Sequence, residues 1–140
     1  MFTRVFVDSD VVISSLLSST GAAYFLLNQS QIRPVISSIS QTELRTVAKR
    51  MGIEVLKLEI LIKERFEIFE VTKELRKIKQ EYGKYVTDLQ DAHVVAGAHG
   101  AALKYLLSYN LKHFKTDKIK DELDILILTP ALFLQFLRSQ

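Results

Sequence analysis

The feature that most constrains this chain is its alternation of short β-rich runs with helical segments. Five runs recur: Thr3–Val7 (TRVFV), Arg33–Ser37 (RPVIS), Phe66–Val71 (FEIFEV), Lys104–Leu107 (KYLL) and Asp124–Leu128 (DILIL). Between them stand segments of helical character: Val11–Ser18, Ala22–Gln29, Ser40–Arg50, Ile53–Arg65, Thr72–Tyr82 and Asp88–Ala102, with Thr129–Arg138 closing the chain. Strands joined through helices pair in parallel, and a parallel sheet needs helices over both faces. The expected fold class is therefore α/β, a three-layer α/β/α arrangement around a central, mostly parallel sheet. With only two prolines, five glycines and no internal repeat, residues 1–140 read as a single domain with short connections.

Local signals punctuate these elements. Pro34 places its residue near an edge or the entrance of the second strand. Ser40 with Glu43 three positions later has the form of a capping box, and Gly52 ends that helix. Asp10 reads as the N-cap of the helix opening at Val11, and Thr129 followed by Pro130 opens the last helix.

Composition narrows the chemistry. No cysteine is present, which excludes a disulfide scaffold, a thiolate zinc site and a cysteine nucleophile. No apolar stretch is long enough to span a bilayer, and the apolar run at the N-terminus meets Asp8 too soon for a secretory signal, so the expected location is cytoplasmic, with no membrane partner. Gly-rich phosphate loops, G-x-S-x-G and H-E-x-x-H are all absent. A net charge of +3 suits an anionic partner such as nucleic acid, and equally an ordinary basic protein.

Four polar positions stand out against apolar surroundings: Asp8, Glu43, Asp91 and Asn110. Asp8 follows the first strand, and Ser108 and Asn110 follow KYLL. In parallel α/β sheets, ligands sit outside the carboxyl ends of the strands. Each position also has a local explanation: a strand end, a cap, a first-turn acid or a turn residue. Convergence would change that. Two carboxylates ~5 Å apart repel by roughly 3 kcal/mol at an effective dielectric of 20. Oxygen-only ligands of this kind suit Mg²⁺ or Mn²⁺.

Other candidates carry less. His93 and His99 lie about 240° apart around one helix and cannot share a metal, so they read as packing or surface residues. His113 stands beside Phe114 after the fourth strand. Arg45, Lys49 and Arg50 are placed to meet phosphates or simply to face solvent, and the mixed charges from Lys73 to Glu81 suggest a salt-bridged surface.

VFVDSDVVISSLLSSTGAAYFLL resembles the start of a PIN domain: a hydrophobic strand, an Asp, a short polar step, a helix and a Gly-led second helix. ISSISQTELRTVAKR resembles that family's strand and Glu-bearing helix. DLQDAHVVAGAHGAALKYLLSYNLKHF resembles its D-x-x-D-A helix and the following strand ending in T-x-D or T-x-N. The order holds over nearly the whole chain, and VapC-like toxin endoribonucleases are the relatives it most suggests.

The resemblance implies a PIN-like domain that hydrolyses RNA phosphodiester bonds with Mg²⁺ or Mn²⁺, leaving a 3′-hydroxyl and a 5′-phosphate. By it, Asp8, Glu43 and Asp91 are metal ligands, Asp88 is an accessory acid, and Ser108 keeps the hydroxyl of the usual Thr. Asn110 is a fourth catalytic position, standing where many PIN domains carry a fourth Asp and some carry Asn; its amide can orient water or coordinate weakly but cannot neutralise a second cation. The resemblance further implies the toxin of a toxin–antitoxin pair, a cognate antitoxin protein and a homodimer. The alternative is a catalytically weak or inactive nucleic-acid-binding module on the same fold.

Overall fold

The computed structural model describes residues 2–140; Met1 lies outside the described residues. Five parallel strands form one sheet: β1 (Thr3–Val7), β2 (Ile32–Ser37), β3 (Glu67–Phe69), β4 (Tyr105–Leu107) and β5 (Leu126–Leu128), in the order β3-β2-β1-β4-β5. The three-layer parallel α/β expectation is met.

The strands alternate faces as their pleat requires. Val5 and Val7 of β1, with Ile32, Ile36 and Leu107, enter one core with α1 (Ser9–Leu17), α2 (Ala22–Leu27), α3 (Ser38–Arg50), α4 (Val55–Arg65) and α8 (Pro130–Arg138). Phe6, Val35, Leu106 and Ile127 enter the other, with α5 (Leu75–Tyr82), α6 (Ala92–Gly100) and α7 (Thr116–Leu123). Pro34 is tolerated in an interior strand because the β2–β3 ladder begins only at Val35↔Glu67. Pro34 itself pairs with Val5 of β1, so its missing N–H faces no partner on the β3 side.

Registry brings the carboxyl ends level. Phe6 pairs with Val35 on one side and Leu106 on the other, and Leu107 pairs with both Val7 and Leu128. The chain lays β2 and β3 to one side of β1, then crosses to lay β4 and β5 on the other. The strand order therefore reverses between β1 and β4. That is the topological switch point at which open α/β sheets form their ligand crevice.

Several sequence expectations need correction. α3 opens at Ser38, with Ser37 as its N-cap accepting from the N–H of Ser40 at 3.0 Å. The Ser40–Glu43 capping box therefore does not form, and Glu43 stands in the second turn with its carboxylate beside His93 of α6. Asp8, not Asp10, is the N-cap of α1. The segment expected as one helix from Asp88 starts with a 3₁₀ turn, Leu89–Asp91, before α6. The helix expected from Thr72 starts only at Leu75. The strand expected from Asp124 starts at Leu126, because Asp124 adopts a left-handed conformation (φ 56°) that ends α7. α7 itself was not anticipated.

Candidate active site

Asp8 leaves β1 in extended conformation and opens α1 at once. Its Oδ1 accepts the N–H of Ser9 at 2.8 Å, and its Oδ2 accepts the Ser108 hydroxyl at 2.9 Å. The Asp8 N–H bonds to the Leu107 carbonyl at 2.9 Å, which ties the first turn of α1 to the end of β4. The switch point thus brings together residues 100 positions apart in the chain.

Asp10 lies one step further along α1. Its Oδ2 accepts the Tyr109 N–H at 3.1 Å and the Asn110 side-chain amide at 2.9 Å. Ser108 Oγ stands 3.5 Å away, but its hydroxyl hydrogen already serves Asp8, while Asn110 N–H donates to Ser108 Oγ at 3.0 Å. Among the described residues Asp10 Oδ1 is buried with no hydrogen-bond partner. A buried carboxylate oxygen left bare costs free energy unless a proton or cation meets it.

The electrostatics agree. The Asp8 carboxyl is raised from 3.8 to about 6, by burial first and then by the charge of Asp10; the bonds from Ser108 and Ser9 oppose this, and Asp91 adds a smaller upward push. Asp10 is also raised, by burial, against the pull of the Tyr109 N–H. Asp91 is raised by burial, held back by His113, and pushed up by Asp88 and Glu43. Asp8, Asp10, Asp91 and Glu43 are thus linked by mutual repulsion.

Asp91 stands at the mouth of α6, its Oδ2 3.3 Å from His113 Nδ1. Asp88 is exposed, and its Oδ1 caps the 3₁₀ turn by accepting the Gln90 N–H at 2.9 Å. Glu43 is about half exposed, with Oε1 3.0 Å from Nε2 of the buried His93. A groove of about 390 Å³ runs past Glu43, lined also by Ser9, Thr42, Thr46, Val47 and Arg50. A more apolar groove of about 460 Å³ joins it at Ser9 and Val47, passing Asp10, Ile13, Leu17 and Met51.

Among the described residues, no three His, Asp or Glu side chains close tightly enough on one point to encase a cation. The arrangement is an open, oxygen-lined crevice with one bare buried oxygen and acids that raise one another. That donor set fits Mg²⁺ or Mn²⁺, which keep several waters and take only one or two carboxylates alongside substrate phosphate.

Two residues were undervalued from sequence. Asp10 looked like a cap, and only its contact with Tyr109 and Asn110 shows where it points. His93 looked like filler, because its carboxylate partner comes from another helix.

Fold and site together define a parallel α/β protein with an acidic crevice at its switch point. The match to the PIN domain family covers residues 4–112, and the chain belongs to that family of nucleases. No curated protein matches it. Solved structures share its fold. A toxin-antitoxin complex from Klebsiella pneumoniae is 23% identical with a TM-score of 0.61, over 90% of this chain and 97% of that one. VapBC2 from Rickettsia felis, bound to a DNA fragment from its promoter, is 13% identical with a TM-score of 0.63, over 91% and 98% of the two chains. VapBC-1 from nontypeable Haemophilus influenzae is 15% identical with a TM-score of 0.63, over 92% and 99%. Among the described residues no helix is long and apolar enough to cross a membrane.

Proposed function

We propose that this chain is a divalent-metal-dependent ribonuclease, the toxin of a toxin–antitoxin pair. The observation that carries the reading is the state of Asp8: a carboxylate beside Asp10 and within the field of Asp91, its pKa raised to about 6. In this reading Asp8, Glu43 and Asp91 hold Mg²⁺ or Mn²⁺, and Asp10 joins them through its bare Oδ1. When bound, the metal supplies Lewis-acid stabilisation of phosphoryl charge and acidifies a water.

The chain's own groups do the rest. The Ser108 hydroxyl fixes the orientation of Asp8, and the Asn110 amide and Tyr109 N–H fix that of Asp10. Asn110 therefore acts through Asp10, which supplies the charge that an amide at position 110 lacks. Asp88 adds negative charge beside Asp91, and its carbonyl accepts the Asp91 N–H at 2.9 Å. Ser9, Thr42, Thr46 and Arg50 line a groove suited to a phosphodiester backbone.

RNA as substrate follows from the resemblance to VapC-like toxins. A protein partner is supported by the toxin–antitoxin complexes among the fold's neighbours. It is supported too by exposed apolar side chains on neighbouring helices, Leu17, Tyr24, Leu56 and Ile60. A cognate antitoxin and a second copy of the chain are the partners proposed.

The test is cleavage of single-stranded RNA in Mn²⁺ by the parent, Asp8→Asn and Asp91→Asn. Both variants are expected to lose cleavage by at least about two orders of magnitude, the scale on which one charge-stabilising group acts, while circular dichroism shows the fold intact. Unchanged cleavage in both would defeat the assignment. Among the described residues no three acids close on one point, which favours a second reading, a binding module with little catalysis. Its signature is RNA binding that persists in EDTA, with no cleavage under any divalent metal.

A further inference from the structure

His93 and Glu43 meet across two helices that no local pattern links. His93 is 6% exposed, on α6, two residues after Asp91. Its Nε2 lies 3.0 Å from Glu43 Oε1, on α3. The two groups are in close polar contact without hydrogen-bond alignment, and among the described residues Nδ1 is buried without a hydrogen-bond partner. A buried imidazole with one nitrogen bare is held at a cost, and the contact it makes is the one with Glu43. Glu43 needs such a contact. It has three side-chain torsions and is about half exposed, so ordering it alone would cost rotamer entropy.

The two helices are placed by the same packing. A Cβ at Gly97 would lie 2.6 Å from Phe6 Cζ and 3.4 Å from Ser37 Cβ, so α6 lies hard against β1 and against the cap residue of α3. One helix thus sets Asp91 at its cap and reaches Glu43 through His93 in its first turn.

We propose that His93 is a positioning residue: its buried imidazole, with Nε2 3.0 Å from Glu43 Oε1, braces the Glu43 carboxylate beside the crevice, so that α6 places two acids of the centre at once. This rests on the reading of Glu43 as a metal ligand. Outer groups that orient ligating carboxylates typically govern metal affinity by about 10–100-fold.

The experiment is calorimetric titration of Mn²⁺ into the parent chain, His93→Leu, His93→Gln and His93→Asn, with the thermal midpoint of each metal-free protein measured alongside. Gln carries an N–H close to where imidazole Nε2 stands, whereas Asn is too short to reach Glu43. The expected result is parent-like affinity in His93→Gln, within about threefold, and a loss of about tenfold or more in His93→Leu and His93→Asn. A thermal midpoint shared by His93→Gln and His93→Asn excludes a merely structural role. If His93→Leu does not fold, the Gln–Asn pair decides alone. Equal affinity in His93→Gln and His93→Asn, with the parent binding Mn²⁺, overturns the positioning role and leaves the metal reading standing. A parent that takes up no Mn²⁺ overturns the metal reading, and the positioning role with it.

Discussion

Asp8 meets two opposed demands. It is held by Ser9 and Ser108, which favour the carboxylate, and surrounded by apolar walls and Asp10, which favour the acid. The second pair wins, since the folded pKa is about 6 against 3.8. The folded chain therefore binds a proton at Asp8 over an interval in which the unfolded chain has released it. Stability from this group is present below about 3.8 and lost as pH rises through about 6. Between pH 5 and 7 the loss is about 1 kcal/mol, or roughly 3 °C in thermal midpoint for a chain of this size. Metal-free parent is expected to melt higher at pH 5 than at pH 7, and Asp8→Asn to flatten most of that difference. A difference of the same size in the variant would mean that another group carries it. Asp8 is the candidate most visible from sequence, because a strand that runs into a carboxylate is visible in one dimension. Asp10 was not. Its position two residues on fits a helix cap equally well, and only the fold brings Tyr109 and Asn110 to its Oδ2.

At the scale of elements, α6 is the piece on which the crevice depends. Its small residues, Ala92, Ala96, Gly97 and Ala98, let it lie close on the sheet, and Gly97 meets the ring of the fully buried Phe6. Gly97→Ala would place a methyl group 2.6 Å from that ring, so helix or ring must move. Overpacking of this kind costs about 1–3 kcal/mol. We expect Gly97→Ala to be destabilised by that amount in urea unfolding and to lose RNA cleavage as well, because the shift carries Asp91 and His93 with it. Phe6→Leu in the same chain should recover part of both losses, and simple additivity of the two substitutions would refute the contact as cause. The apolar, small-residue character of this helix was plain in the sequence. α7 was missed for a matching reason: TDKIKDEL buries only Ile119, so its apolar stripe is too thin to read, and it ends at a left-handed Asp124 where a Gly would have marked the stop. Glu43 had a competing local explanation in the sequence. The capping box proposed for it does not form, and its carboxylate is free to meet His93 because Ser37 caps the helix instead.

Across the whole molecule the charge is divided unevenly. The chain carries +3 overall, yet Asp8, Asp10, Asp91 and Glu43 gather at one end of the sheet. A polyanion can approach that end only if cations line its route. Many basic residues are already engaged: Arg4 pairs with Glu67, Arg45 with Glu59, Lys73 with Glu81 and Lys84 with Glu122. Arg50 differs, for it lines the groove beside Ser9 and Glu43 and has no ion-pair partner among the described residues. Position in the fold, and not sequence, separates Arg50 from Arg45, since both follow Glu43 on one helix and only the packing of α3 on α4 occupies Arg45 with Glu59. If the groove carries the phosphodiester chain, Arg50 releases counterions on binding. The slope of log affinity against log salt for a single strand is then smaller in magnitude by about 0.7 in Arg50→Ala than in the parent. Arg45→Ala should leave that slope nearly unchanged, because the Arg45 charge is balanced by Glu59 before RNA arrives. The measurement is fluorescence anisotropy of a labelled single-stranded RNA in EDTA, which removes divalent metal, over 50–200 mM salt. Slopes that match in parent and Arg50→Ala would move the RNA path away from the α1–α3 groove.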